Sequence, residues 1–344
     1  ESTEFFDISS PDIQGLLANT RRLAGTPECQ WLKTADRDKG EPGLRILSAT
    51  AGAGGVRQIG RLLIIEKSDA FVSKVSNLIT EAKKGFAGGV DVNVHIFSGL
   101  GGGTGAGTFL DVCYLVQKAL DDIGEGGHAL TCGYFFLPDV NLSVPQVAAN
   151  PNISGYIMPN GFAAMKELDY CMNFETNGGE WIQQYRGFKY GPVKTQPVKC
   201  CHLISAYTLK GGALEKGYDY AMNVVGDFVL QFLVKNDIDM NTHISNYYTA
   251  MSKVPKEHGA NYQYILLGAS NAVVPMREIT TYLASKLFEA FSDSKDRYPS
   301  DEEIHQFAKE NDLLFQGLLK QVMRGTSYNM PAIELQASMF NNMS

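Results

Sequence analysis

Two spacings of hydrophobic residues alternate along the first two thirds of this chain. Compact apolar runs stand at 44–49, 92–97, 128–137 and 198–205, each of a length and make-up that predicts a buried strand. Between them, apolar residues recur every three or four positions, the spacing of a helix with one covered face. Pro11–Leu23 reads as a helix, with Ser10 as its N-cap and Pro11 at the first helical position, where a missing N–H costs nothing. Ser68 is expected to cap a second helix whose apolar face runs through Phe71, Val75, Leu78, Ile79 and Ala82 and stops at Gly85. A third spans 108–120. Strand and helix in alternation predict an α/β fold, a mostly parallel sheet with helices on both faces, and ligands at the carboxyl ends of its strands.

Beyond Leu137 the pattern loosens. Residues 138–160 carry prolines at 138, 145, 151 and 159 and predict a long exposed loop. Asn160 then opens a helix over 161–168, either as its N-cap or as a polar group turned toward a ligand. Residues 173–197 are aromatic, glycine-rich and aperiodic, and read as an insertion. Gly211 and Gly212 lead into a long helix from Ala213 to Val234, apolar around most of its circumference and so expected to lie buried between two layers. A strand at 262–269 and helices at 275–291, 301–309 and 313–324 complete the prediction, with a polar linker at 292–300 and a polar tail.

The most informative stretch is 97–109, Phe-Ser-Gly-Leu-Gly-Gly-Gly-Thr-Gly-Ala-Gly-Thr-Phe, in which six of the nine residues from Gly99 to Gly107 are glycine. A buried strand, a turn without side chains and a helix N-terminus together cradle phosphate, because bare peptide N–H groups converge on the anion. Thr104 and Thr108 add hydroxyls. A Walker-type loop is excluded, since no lysine follows Gly107. A dinucleotide fingerprint fits only loosely, because Asp121 and Asp122 close a helix and not a second strand. A second cluster, Gly52-Ala53-Gly54-Gly55, follows the first apolar run and is trailed by Arg57 and Arg61, which either add positive charge to a phosphate site or stand solvated after an ordinary turn.

Gly101-Gly102-Gly103-Thr104-Gly105-Ala106-Gly107 resembles, residue for residue, the phosphate loop of the tubulin/FtsZ superfamily, and resembles bacterial tubulin-like proteins most in flavour. The resemblance implies that Gly101–Thr108 hold the phosphates of GTP or GDP, with Mg2+, and that Gly52, Ala53, Gly54 and Gly55 contact the terminal phosphate. It implies a nucleotide-binding domain over 1–212, a central helix over 213–235, a smaller α+β domain over 236–292 and C-terminal helices with a tail over 293–344. In relatives the segment matching 138–160 lies over the sugar, which makes Asn160 a ribose candidate. An aromatic and an Asn or Asp near the start of the central helix meet the base; Tyr218 and Asn223 stand there, with Tyr220 nearby, and core packing of the tyrosines explains them equally. Asp237 and Asp239 match in part the acidic loop that orients the attacking water in the next subunit, and a solvated acidic turn is the alternative. Superfamily members also open on a strand and a glycine loop. Residues 1–43 show neither, so the domain reads as lacking its first strand and loop.

Composition narrows the function classes. Net charge is -7, so nucleic acid is not the expected partner. No apolar run approaches the roughly 20 residues that span a bilayer, and a cytoplasmic protein is expected. The six cysteines show no Cys-x-x-Cys spacing, and Cys200 and Cys201 point to opposite faces of a strand, so no metal site is expected from them. The favoured function is a GTP-binding protein that polymerises head to tail with itself, its GTPase completed at the subunit interface. The alternative is a non-hydrolysing tubulin-like scaffold or binding module in a larger assembly. A dinucleotide-dependent oxidoreductase is the third reading.

Overall fold

The computed structural model describes residues 4–10, 13–34, 44, 52–84, 92–208, 210–233, 242, 244, 246, 249, 264–268, 276–293 and 298–318. The chain forms two compact units, Glu1–Ser270 and Asn271–Ser344. The first is built on a parallel sheet of β1 (Asn93–Gly99), β2 (Leu130–Phe136), β5 (Cys200–Ile204) and β6 (Tyr264–Leu266), in the order β1-β2-β5-β6. The register pairs Phe97 with Tyr134, Tyr134 with His202 and Cys201 with Tyr264. β6 therefore extends this sheet, and the strand expected in a second α+β domain belongs to the first unit. β3 (Trp181–Gln184) and β4 (Lys189–Val193) form an antiparallel hairpin within the stretch read as an aperiodic insertion.

One face of the sheet is covered by α3 (Arg57–Glu66), α4 (Ser68–Lys83), α5 (Gly103–Asp122) and α8 (Pro151–Met172), which share a core with Phe135 and Cys201. The other face packs α10 (Gly217–Leu233) against Tyr134, Cys132 and Cys200, so the adjacent cysteines do point to opposite faces. α5 is the enclosed helix: Phe109, Cys113, Tyr114, Leu115, Ala119 and Leu120 are fully buried, each of the larger ones contributing about 1.5–3 kcal/mol. α10 was expected to be enclosed, but it buries a stripe of Gly217, Ala221, Val224 and Val225 and leaves Leu230 53% and Leu233 77% exposed. Its circumference is apolar, yet only one side meets described structure.

The expected long loop at 138–160 is helical. Pro138 opens α6 (Pro138–Leu142), Pro145 opens α7 (Pro145–Ala148) and Pro151 opens α8, each using the fixed φ of proline where no N–H is needed. Asn150 caps α8 by accepting from the Asn152 amide at 3.1 Å. Asn160 is thus a mid-helix residue and not an N-cap. Pro159 is tolerated inside α8 with Gly155 four residues earlier, where nothing crowds the missing side chain. Ser68 is not a cap either: it is the first residue of α4, and its hydroxyl donates to the Ile65 carbonyl at 2.9 Å.

The N-terminal stretch forms two short helices, α1 (Ile13–Ala18) and α2 (Thr20–Ala24), broken at Asn19; α9 (Phe174–Asn177) follows α8. Of the strand expected at 44–49, residues 45–49 lie outside the described residues. The second unit contains α11 (Met276–Asp293) and α12 (Asp301–Glu310), the latter opened by a reciprocal pair of bonds between Ser300 and Glu303. No helix among the described residues is long and apolar enough to cross a membrane.

Beneath α10 lies an aromatic stack: Phe97 on Tyr134 at 4.8 Å, Tyr134 on His202 at 4.6 Å, and Phe228 against His202 at 5.4 Å. His202 Nδ1 donates to the Gly133 carbonyl at 3.1 Å, which leaves a buried Nε2 with no described partner. Burial pushes its pKa down to about 4; the bond to Gly133 opposes this, and His95 adds to it. The folded state therefore holds fewer protons than the unfolded chain between pH 6.5 and about 4, and stability falls as pH drops through that window. Denaturant melts at pH 7 and pH 5 are expected to differ by about 2 kcal/mol from this group alone. His202→Gln should flatten that slope, and an unchanged slope contradicts the assignment.

Candidate functional site

The glycine-rich signature spans the junction of β1 and α5. Leu100 donates to the Phe136 carbonyl at 2.9 Å, which ties the end of β1 to the end of β2. Gly102 is the N-cap of α5 in an extended conformation (φ -84, ψ 169), and the first intrahelical bond runs from the Ala106 amide to the Gly102 carbonyl at 3.3 Å. No described group accepts from the amides of Gly101, Gly102, Gly103, Thr104 or Gly105. Five consecutive donors stand at the positive end of a 20-residue helix, an arrangement suited to an anion by geometry and dipole together. Gly101 and Gly103 are buried while Gly102, Thr104 and Gly105 are half-buried, so the run takes its acceptors, water or an anion, from outside the chain.

The glycines of this run have different causes. A side chain at Gly103 would lie 2.5 Å from the Val56 amide nitrogen, one at Gly107 2.2 Å from the Arg57 carbonyl, and one at Gly60 2.4 Å from the Gly103 carbonyl. α3 and α5 thus touch backbone to backbone, and only glycine fits. At Gly105 the obstacle is the Gly99 carbonyl at 2.3 Å, and at Gly101 it is Ile157 of α8, with Asn141 of α6 beside it. Gly102 alone has nothing within 4 Å of an added side chain. The open approach to the unpaired amides is at Gly102.

The second cluster lies against the first. Gly52, Gly54 and Gly55 adopt φ of +78, +54 and +82, which side chains avoid. The Ala53 amide donates to Thr104 Oγ1 at 3.0 Å, so Ala53 holds the neighbouring loop and the free donors of this turn are Gly54 and Gly55. α8 closes over both loops. The Tyr156 ring lies where a Gly55 side chain would stand, and Asn160 Nδ2 donates to the Gly55 carbonyl at 2.9 Å and the Gly101 carbonyl at 3.2 Å. Nothing in the sequence marked Tyr156 or Asn141 for this position, because their contacts cross from other elements.

The predicted positive charge is committed elsewhere. Arg57 pairs with Glu167, and its Nε donates to the Ala106 carbonyl at 3.1 Å. Arg61 pairs with buried Asp111 at 2.9 Å, donates to Gln183 at 2.9 Å, and lies 4.7 Å from the Trp31 ring centre and 5.6 Å from that of Trp181. Burial pushes the Asp111 carboxyl up from its ordinary value against the pull of Arg61 and of the Tyr185 hydroxyl. Both arginines brace the far side of α3 and α5 and do not face the glycine loops.

A family model described as tubulin-like matches residues 2–293. The chain belongs to the tubulin-like family. No curated protein and no solved structure matches it. Such proteins generally bind GTP and typically self-assemble. The unpaired amides from Gly101 to Gly105, with the unobstructed space at Gly102, fit the phosphate tail of such a nucleotide. Of the other sequence candidates, Ala106 and Gly107 face α3, and Thr108 is buried in the second turn of α5. Tyr218 and Asn223 are exposed on α10, and no described contact brings them to either loop. Asp237 and Asp239 lie outside the described residues. No cluster of three metal-binding side chains occurs among the described residues.

Glycine replacements separate packing from binding. Gly107→Ala and Gly60→Ala are expected to lower unfolding free energy by about 1–3 kcal/mol through overpacking, whereas Gly102→Ala should stay within about 0.5 kcal/mol. Urea denaturation decides; equal losses at all three positions would refute the assignment. Asn160→Leu removes two hydrogen bonds at once, and hydrogen exchange of the Ala53 amide, the one in these loops held by an acceptor, should speed up at least about five-fold (~1 kcal/mol).

Proposed function

We propose that this chain binds GTP or GDP, with Mg2+, at the turn formed by Gly101–Gly105 and Gly54–Gly55, and assembles head to tail with copies of itself. The single observation that supports this reading is the run of five unpaired amides at the start of α5, facing open space at Gly102, in a chain of the tubulin-like family. Backbone donors fix the phosphate oxygens, and the helix dipole supplies positive potential. Thr104 orders the second loop from the first through the Ala53 amide. Asn160 holds both loop carbonyls away from the anion, so that their amides face it. Tyr218 and Asn223 are the proposed base contacts, and the fold places them on a helix distinct from the phosphate turn.

Hydrolysis, in this reading, is completed by Asp237 and Asp239 of one subunit acting on the nucleotide of the next. A carboxylate there orients the attacking water and accepts its proton as the bond to the terminal phosphate breaks. When bound, Mg2+ supplies charge neutralisation on the phosphate oxygens.

Mass spectrometry of nucleotide released from fresh protein, beside phosphate release over a protein concentration series, tests the reading. Guanine nucleotide and a turnover that rises with concentration are expected. Asp239→Ala should lower turnover at least about 100-fold while leaving bound nucleotide in place. Gly102→Asp puts a carboxylate among the donors and should empty the site without unfolding the protein. Retained nucleotide with no turnover at any concentration selects the non-hydrolysing scaffold; absence of nucleotide from the wild type, with no binding on addition, removes the GTP-binding reading.

A further inference from the structure

A cavity of about 380 Å³ lies on the far side of the α3–α5 contact from the glycine loops, among α3, α5, α8, α9 and the start of the hairpin. Both tryptophans of the chain, Trp31 and Trp181, line it. Phe109, Phe174 and Tyr170 add aromatic surface, and Arg61 and Glu180 add polar groups. We propose that this cavity binds a planar, uncharged aromatic heterocycle of nucleobase size that both accepts and donates hydrogen bonds.

The ligand class follows from what the walls already use. A cation would compete for ring faces that the Arg61 guanidinium occupies, at 4.7 Å and 5.6 Å from the two indoles. An anion would meet Asp111, Glu167 and Glu180 with only Arg57 and Arg61 to balance them, and both arginines are already paired. An aliphatic ligand would leave the polar groups unmatched. What remains open is complementary: Arg61 uses Nε and Nη2 on Asp111 and Gln183, while its Nη1 has no described acceptor. Glu180 is exposed and has no described donor. A flat ring lying on Tyr170, which is 56% exposed, its edge accepting from Arg61 and donating to Glu180, uses these features without displacing the guanidinium from the indoles. The volume lies within the range of small-molecule sites, about 300–1,000 Å³. Ala106 and Gly107 belong to its lining, so the same helical turn that follows the phosphate amides forms part of this wall.

The two indoles make the test direct, because no other tryptophan contributes to the emission. Adenine, a phosphate-free purine, is titrated into the intact chain while tryptophan fluorescence is read, with calorimetry in parallel. Saturable quenching is expected. Glu180→Ala, a replacement at an exposed position, should weaken binding at least about ten-fold, the loss of one charge-assisted hydrogen bond, with thermal stability unchanged. Gly102→Asp should leave adenine binding intact, which separates this cavity from the glycine-loop site. Quenching that is linear in adenine, that Glu180→Ala does not weaken, or that Gly102→Asp abolishes, overturns the proposal.

Discussion

The first unit depends on a contact that admits no side chains. α3 and α5 meet through Gly60, Gly103 and Gly107, where an added carbon would come within 2.2–2.5 Å of backbone atoms. Ordinary helix pairs keep axes 8–10 Å apart because side chains interleave between them. Here the backbones touch, and that proximity places the loop before α3 against the loop before α5. The reach of Thr104 Oγ1 to the Ala53 amide exists only because the helices are this close. The glycine turn is thus a consequence of the packing behind it. A glycine that seems chosen for closeness to a ligand, such as Gly103, is held first by a neighbouring helix.

That close contact is braced from behind by charge. Arg61 reaches from α3 to Asp111 on α5, and Gln183 and Tyr185 of the hairpin region complete the set. Asp111 is fully buried, and its carboxyl is met by the Arg61 guanidinium and by the Tyr185 hydroxyl, which donates to Oδ1 at 2.9 Å. Breaking a buried pair by removing one partner costs about 3–5 kcal/mol, far more than an exposed pair of the same geometry. The hairpin, which carries no periodic signal, therefore acts as a clamp on the two helices that make the site.

Elements with a repeating pattern were legible in the sequence: the strands at 93–99, 130–136 and 200–204, helix α4 and the glycine turn all came from spacing or local chemistry. The failures share a cause. Prolines at 138, 145 and 151 signal loops when counted, but each stands at the first position of a helix, where proline fits. The apolar circumference of α10 suggested enclosure, yet composition does not say which side meets a partner. Arg57 and Arg61 looked like phosphate ligands because they follow a glycine loop. Helical geometry turns them away from it, toward Glu167 and Asp111, which are more than fifty positions distant for one and fifty for the other. Long-range pairing of this kind leaves no local trace.

With both arginines committed, the anion site proposed at this turn is built from peptide dipoles. Dipoles fixed in a rigid turn select by geometry: five successive N–H groups favour a chain of phosphate oxygens over a lone carboxylate, because only the former can engage them in series. A lysine or arginine would add attraction for any anion and could follow it through several conformations. A glycine turn wedged between α3, β1 and α8 cannot follow an anion in that way. Under the proposed function, the inflexibility enforced by the α3–α5 contact is what would let such a turn distinguish a triphosphate from a diphosphate.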